Sequence, residues 1–206
     1  SIRLLSIFMI MSALMPSASA ITVEEVFLSA PREVIPLIDF VKRDEMVKLY
    51  NAGMASKADP NLLGGDVEIL SITPDAMTLR HGNGGTLTVA LLPMAGGDTA
   101  VMMLENIETP AIDANVRVYA LDWTPLSGVW EEPSVADWAL KNRGAEAASE
   151  IPFMLAEGRW NAAERSIELT PTIGEWLDED KRGLPAELLR PQLTMKWNGK
   201  KFMIKK

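Results

Sequence analysis

Five stretches between Asp66 and Trp123 alternate apolar with polar residues: DVEILSI, AMTLRH, TLTVALLP, TAVMMLENI and NVRVYALDW. A period of two places successive side chains on opposite faces of an extended strand. Between the stretches lie Thr73-Pro74-Asp75, Gly82-Asn83-Gly84-Gly85 and Ala95-Gly96-Gly97-Asp98. These are tight-turn residues, with glycine and asparagine supplying positive φ. A parallel crossover needs roughly a dozen residues or more, so strands joined this tightly run antiparallel. The expectation is a meander of about five strands. Its inward face is expected to carry Val67, Ile69, Met77, Leu79, Leu87 and Val89. In the fifth strand Val116, Val118 and Ala120 share one face and Tyr119 takes the other.

Helices precede the meander. Thr22-Val23-Glu24-Glu25 is a capping box, and Val23, Val26 and Phe27 share a face before Pro31 and Pro36 break the helix after Ala30. A second helix is expected over Lys42 to Met54, with Met46, Leu49, Tyr50 and Met54 as its apolar stripe. After the meander, Leu126 to Ile151 reads as an excursion with a short helix at Ser134 to Lys141. FMLAEGRW and RSIELT form a hairpin about Asn161-Ala162-Ala163-Glu164, and Trp176 to Leu189 is an acidic, partly helical connector. LTMKW and KKFMIK close the chain about Asn198-Gly199, the signature of a two-residue type I′ turn flanked by Trp197 and Lys200. The expected fold is α+β, with N-terminal helices packed on one face of a largely antiparallel meander sheet. Residues 21–126 form a helix-plus-meander lobe, and residues 127–206 a C-terminal β-rich lobe or an extension of the sheet. Two similar lobes fit this order of elements, although no clear internal repeat supports them.

Residues 1–20, SIRLLSIFMIMSALMPSASA, have the three parts of a secretory signal peptide. Arg3 gives a positive start, Leu4 to Leu14 an apolar run, and Ala18-Ser19-Ala20 a small-residue cleavage site. The run is too short for the roughly 20 residues of a membrane span, so the expected product is periplasmic or secreted, cut after Ala20 and not membrane-spanning. There is no cysteine, which removes disulfides, thiolate metal sites, a cysteine nucleophile and a lipidated cysteine. The formal net charge of −8 argues against nucleic-acid binding. Lys196, Lys200, Lys201, Lys205 and Lys206 concentrate positive charge at the tail, as on a protected edge strand or a surface for an anionic lipid or polysaccharide.

Four phrases carry a resemblance: VFLSAPREVIPLIDFVKRDEMVKLYNAGM, GGDVEILSITPDAMTLR, VYALDWTPL and LRPQLTMKWNGKKF. Together they resemble a family of exported Bacteroidetes proteins catalogued as domain of unknown function 3256. The resemblance spans nearly the whole chain after the signal, and its last phrase is the most specific. It implies secretion to the periplasm or beyond, and it brings no activity, cofactor, partner or catalytic residue.

Candidate chemistries are few. His81 is the sole histidine, and a Ser-His-Asp triad would need it with Asp75 or Asp66, yet no G-x-S-x-G elbow holds a serine. One histidine without cysteine is a poor zinc set. Glu131-Glu132 and Asp178-Glu179-Asp180 lack calcium-loop spacing and read as solvated acidic loops. Gly82, Gly84, Gly85, Gly96 and Gly97 lack the Lys-Ser/Thr of a phosphate loop. No cofactor is expected. Paired carboxylates could hydrolyse glycosides, but with 28 acidic residues the sequence does not choose a pair. Six tryptophans remain, which stack on sugars and anchor interfaces as readily as they seal a core. The candidate recognition surface is Trp123, Trp130, Trp138 and the hairpin of Trp197, Lys200 and Lys201. The leading expectation is a non-catalytic exported protein binding a protein or glycan of the cell envelope. The alternatives are a secreted glycan-directed hydrolase using paired carboxylates, and an envelope protein that self-associates through an edge strand.

Overall fold

The computed structural model describes residues 20–54, 59–60, 65–82, 85–108 and 110–205. The expected signal peptide, up to residue 19, and the Asn83-Gly84 turn lie outside the described residues.

The first helix, α1 (Val23–Ser29), opens with both bonds of the capping box in place. The Glu25 N–H donates to the Thr22 hydroxyl at 3.3 Å, and the Thr22 N–H donates to the Glu25 carboxylate at 2.8 Å. Helix α2 (Phe40–Asn51) starts at Asp39, which accepts from the Lys42 N–H. It ends earlier than the sequence suggests: Gly53 turns to φ 68°, and Met54 is 59% exposed, outside the stripe expected for it. Arg43 lies buried beside Met46 and Val47 instead. Its Nη1 donates to the carbonyls of Phe27 and Ala30 at 2.7 and 2.8 Å, satisfying the C-terminal end of α1. A cation is buried there because it binds open carbonyls.

The fold is α+β. Strands β1 (Asp59–Pro60), β2 (Asp66–Ile72), β3 (Ala76–His81), β4 (Thr86–Pro93), β5 (Thr99–Glu108) and β6 (Ile112–Ala120) lie side by side in chain order, every pair antiparallel. Val67, Ile69, Met77, Leu79, Leu87, Val89, Val101, Met103 and Tyr119 line one face and pack under α1 and α2. Ala90, Leu92, Met102, Leu104, Val116 and Val118 line the other. Both faces are covered, which explains why β4 and β5 are apolar in both phases of the alternation.

The second covering layer is another antiparallel sheet. Strands β7 (Ala156–Asn161), β8 (Ser166–Pro171), β9 (Leu193–Trp197) and β10 (Phe202–Ile204) stand in the order β10-β9-β8-β7. Ile167, Leu169, Leu193 and Met195 join the core of the first sheet. Short helices α3 (Val135–Trp138), α4 (Gly144–Glu150) and α5 (Leu184–Leu188) add Trp138, Ala147 and Leu188 to the same core. Residues 21–126 and 127–206 therefore meet in one shared apolar interior. The chain's last hairpin forms with its turn shifted by one residue. Trp197 pairs with Phe202, Gly199 alone takes positive φ (91°), and the Asn198 side chain accepts from the N–H groups of Lys200 and Lys201. Asparagine's side-chain cap makes Gly199-Lys200 the central pair, in place of Asn198-Gly199.

The two sheets are joined at Asn106. Its Nδ2 donates to the Gly158 carbonyl and its Oδ1 accepts from the Gly158 N–H, both at 2.8 Å and buried. A Cβ on Gly158 would stand 2.7 Å from Leu104 Cδ1 and 3.1 Å from Ala114 Cβ. We expect Asn106→Ala to cost about 2–4 kcal/mol, because two buried backbone groups lose their partner. Gly158→Ala is expected to cost about 1–3 kcal/mol by overpacking. Both damage the same seam, so the double variant should lose less than the sum, read from urea unfolding midpoints.

Candidate functional site

Strand β6 is an edge of the first sheet, and the connector after it doubles back alongside. Leu126 N–H donates to the Val118 carbonyl, and Val129 accepts from Phe202 N–H at 2.9 Å, which fixes the path of residues 126–129. Trp130 follows, packed edge-on against Phe202 with ring centroids 5.6 Å apart. Between this connector and β6 lies an open cleft of about 330 Å³, lined by Asp113, Ala114, Asn115, Val116, Trp130, Glu132 and Met154.

The cleft joins an aromatic side chain to two carboxylates. Trp130 Nε1 donates to Glu132 Oε2 at 3.0 Å. Glu132 is exposed as a residue, yet partial withdrawal of its carboxyl from water is the largest influence on it and raises its pKa. The indole hydrogen bond opposes this rise, and the nearby charge of Asp113 adds to it. Glu131 and Glu132 are both exposed in a loop, as expected from the sequence, whereas nothing in the sequence singles out Asp113. The cleft exists only because the connector passes back along β6.

The six candidate residues do not form one surface. Trp138 is 1% exposed and lies in the shared core, so it presents no face to a ligand. Trp197 is 5% exposed, and its Nε1 donates to the Pro93 carbonyl at 2.8 Å. It meets Phe202 from one side as Trp130 does from another, so these two do converge. Trp123, at φ 67°, packs on Tyr119 and donates to Ser29 Oγ, fastening α1 to the helix-covered side of the sheet. Lys200 is exposed and Lys201 half-buried in the turn. Of the other tail lysines, Lys196 and Lys205 pair with Glu164 across the second sheet.

His81 belongs to another cluster. Its Nε2 lies 2.6 Å from Glu105 Oε1, and Arg117 Nη2 reaches the other carboxylate oxygen at 3.2 Å. Residues 34–38 adjoin this group. Asp75 accepts from the Thr73 hydroxyl instead. Glu105, unnoticed in the sequence, had left one signal: a carboxylate directly after the apolar run Ala100 to Leu104. Asp178, Glu179 and Asp180 are exposed, and among the described residues no three acidic or histidine side chains stand close enough to hold a metal ion. A larger groove of about 780 Å³ lies between Leu140, Pro171, Pro185, Leu189, Arg182 and Arg190, with Glu175 as its one carboxylate. Its size exceeds that of the β6 cleft, but it joins no aromatic ring to a carboxylate pair.

The hydrogen bond from His81 is the main cause that lowers the Glu105 pKa, with the charges of His81 and Arg117 assisting and burial opposing. A carboxylate depressed in the folded state adds stability above its unfolded value, and that share is lost as pH falls through the folded value. His81→Leu removes the bond, so the Glu105 titration, followed by carboxyl-carbon NMR, is expected to move to higher pH. The stability this carboxylate adds should then be smaller, and its loss on acidification complete at a higher pH, than in the unaltered protein.

Among the described residues no helix is long and apolar enough to cross a membrane. No curated protein matches the chain. A solved structure of a domain of an uncharacterized protein from Porphyromonas gingivalis W83 is similar in fold, with a TM-score of 0.71 and 20% identity. The match covers 88% of this chain and 98% of that one, and at this identity it speaks for the fold alone. A family model described as "protein of unknown function (DUF3256)" matches residues 15–202, and with nearly the whole chain covered the protein belongs to that family.

Proposed function

We propose that the protein is an exported, non-catalytic binding protein that holds a component of the cell envelope, a protein or a glycan, in the cleft of Trp130, Glu132, Asp113 and Asn115. The observation that carries this reading is the Trp130 indole. It is half-buried, held on one side by Phe202 and oriented by its bond to Glu132, at an open cleft with polar groups on the facing strand. An aromatic ring fixed before the ligand arrives loses little freedom on binding. Export rests on the signal-like residues 1–20 and places the ligand in the periplasm or outside the cell.

A second reading, a glycan-directed hydrolase, is favoured by one observation: Glu132 has its proton affinity raised beside a second carboxylate, Asp113. A glycosidase acid needs that perturbation. Co-sedimentation with purified envelopes separates the possibilities. The unaltered protein is expected to sediment, and Trp130→Ala to lose about tenfold in the bound fraction, a loss on the scale of a removed aromatic anchor. Circular dichroism melting establishes that the variant is folded. Trp138 is left in place, because truncating a core tryptophan costs about 3–5 kcal/mol. Equal sedimentation by both proteins would remove the cleft from consideration. New reducing ends released by the unaltered protein and not by Glu132→Gln would replace binding with hydrolysis.

A further inference from the structure

We propose that the β6 edge of this cleft takes up an extended basic peptide as an added strand. The inference rests on the cleft being the binding site and names the ligand class.

The backbone of β6 supplies the argument. Residues on an antiparallel strand turn their N–H and C=O groups alternately toward one neighbour and the other. The Ile112 carbonyl accepts from the Thr172 hydroxyl, the Val118 carbonyl from Leu126 N–H, and Ala120 N–H donates to the Thr124 carbonyl. The even-numbered residues therefore face away from β5. The outward groups of Ala114 and Val116 fall between these caps, and neither makes a hydrogen bond there among the described residues. Both residues line the cleft. The strand edge is capped at each end and open in the middle. Two donors and two acceptors stand about 7 Å apart along the strand, the spacing at which another strand offers its own.

Charge selects among extended ligands. Asp113 and Glu132 line the cleft, Glu131 is exposed next to it, and the protein as a whole carries −8. Arg117, the cation nearest along β6, is occupied by Glu105. Side chains of an added strand alternate in direction. Those on the face of Asp113 meet a carboxylate, and those on the opposite face meet Trp130 and Met154, which pack on the shared core. The fitting segment alternates lysine or arginine with an apolar residue. A sugar offers no N–H and C=O at strand spacing, so the open backbone groups favour a peptide.

Amide exchange measured by NMR on the full protein tests this, with acetyl-Lys-Val-Lys-Val-Lys-Val-amide as the probe. Bound peptide is expected to slow exchange at Ala114 and Val116 by about tenfold or more, and to leave Asn115, already paired to β5, unchanged. The same peptide N-methylated at its valines keeps its charge and should give no slowing. The Asp113→Asn/Glu132→Gln variant should bind about tenfold more weakly. Peptide binding that shifts Trp130 without slowing Ala114 and Val116 overturns strand addition and leaves the binding cleft standing. A purified envelope glycan that shifts Trp130 when the peptide does not overturns the peptide class alone. If neither probe moves the Trp130 indole resonance, the inference and the proposed function both fall.

Discussion

The arrangement depends on one side chain bridging two sheets. Asn106 sits in the β5 strand of the first sheet and presents an amide to the backbone of Gly158 in the second, donor to acceptor and acceptor to donor. Such a pair imitates the hydrogen bonds of a neighbouring strand. It works only at a glycine, because Leu104 and Ala114 occupy the space a side chain would need. Buried amides left without partners are costly, so the pairing sets the register of one sheet on the other. The apolar contacts of Leu104, Ile167, Leu169 and Met195 supply attraction without direction. Asn106 supplies the direction.

The same bond illustrates how the protein deals with strand edges. Strand β7 ends the second sheet, and Asn106 occupies backbone groups at its middle that could otherwise pair with another chain. At the other end of that sheet, Phe202 N–H is taken by Val129. Strand β6 is treated differently: Thr172 and Leu126 cap it above and below a short gap. Because the connector that carries Leu126 also carries Trp130 and Glu132, the element that guards the strand also builds the wall of the cleft. Fold and candidate site thus follow from a single chain crossing.

Much of this was legible in the sequence, and the reasons are local. Period-two alternation and turn residues located β2 to β6 closely, because each strand's burial and each turn's φ depend on residues within the segment. The capping box at Thr22 and the short helix at Ser134 were legible for the same reason. What depended on distant contacts was not. Position 43 is buried because α1 ends above it, which nothing near Arg43 announces. The tryptophans show the limit most plainly: Trp130 and Trp138 stand in one segment, yet one borders an open cleft and the other is sealed in the core. Their fates were decided by where the second sheet lies. The uninterrupted apolar runs of β4 and β5 did contain its trace, since a sheet covered on one face needs only every second residue apolar.

The open stretch of β6 bears on binding through energetics as well as shape. Ala114 and Val116 are buried residues whose side chains join the shared core, so their outward backbone groups have little freedom to turn toward solvent. Backbone groups held at a partly buried edge favour any ligand that supplies the missing partners in a fixed row. Capping this edge was structurally accessible, since it is done one step away at Ile112 and again at Val118. Caps from two separate segments that close both ends and stand off from the middle keep the neighbouring copies of a sheet-forming protein from pairing along a long edge, while leaving room for a segment of two or three residues. The restriction on length is itself a source of selectivity: a short docking edge gains little from backbone pairing alone, and side chains reaching Asp113, Glu132 and Trp130 must contribute the rest.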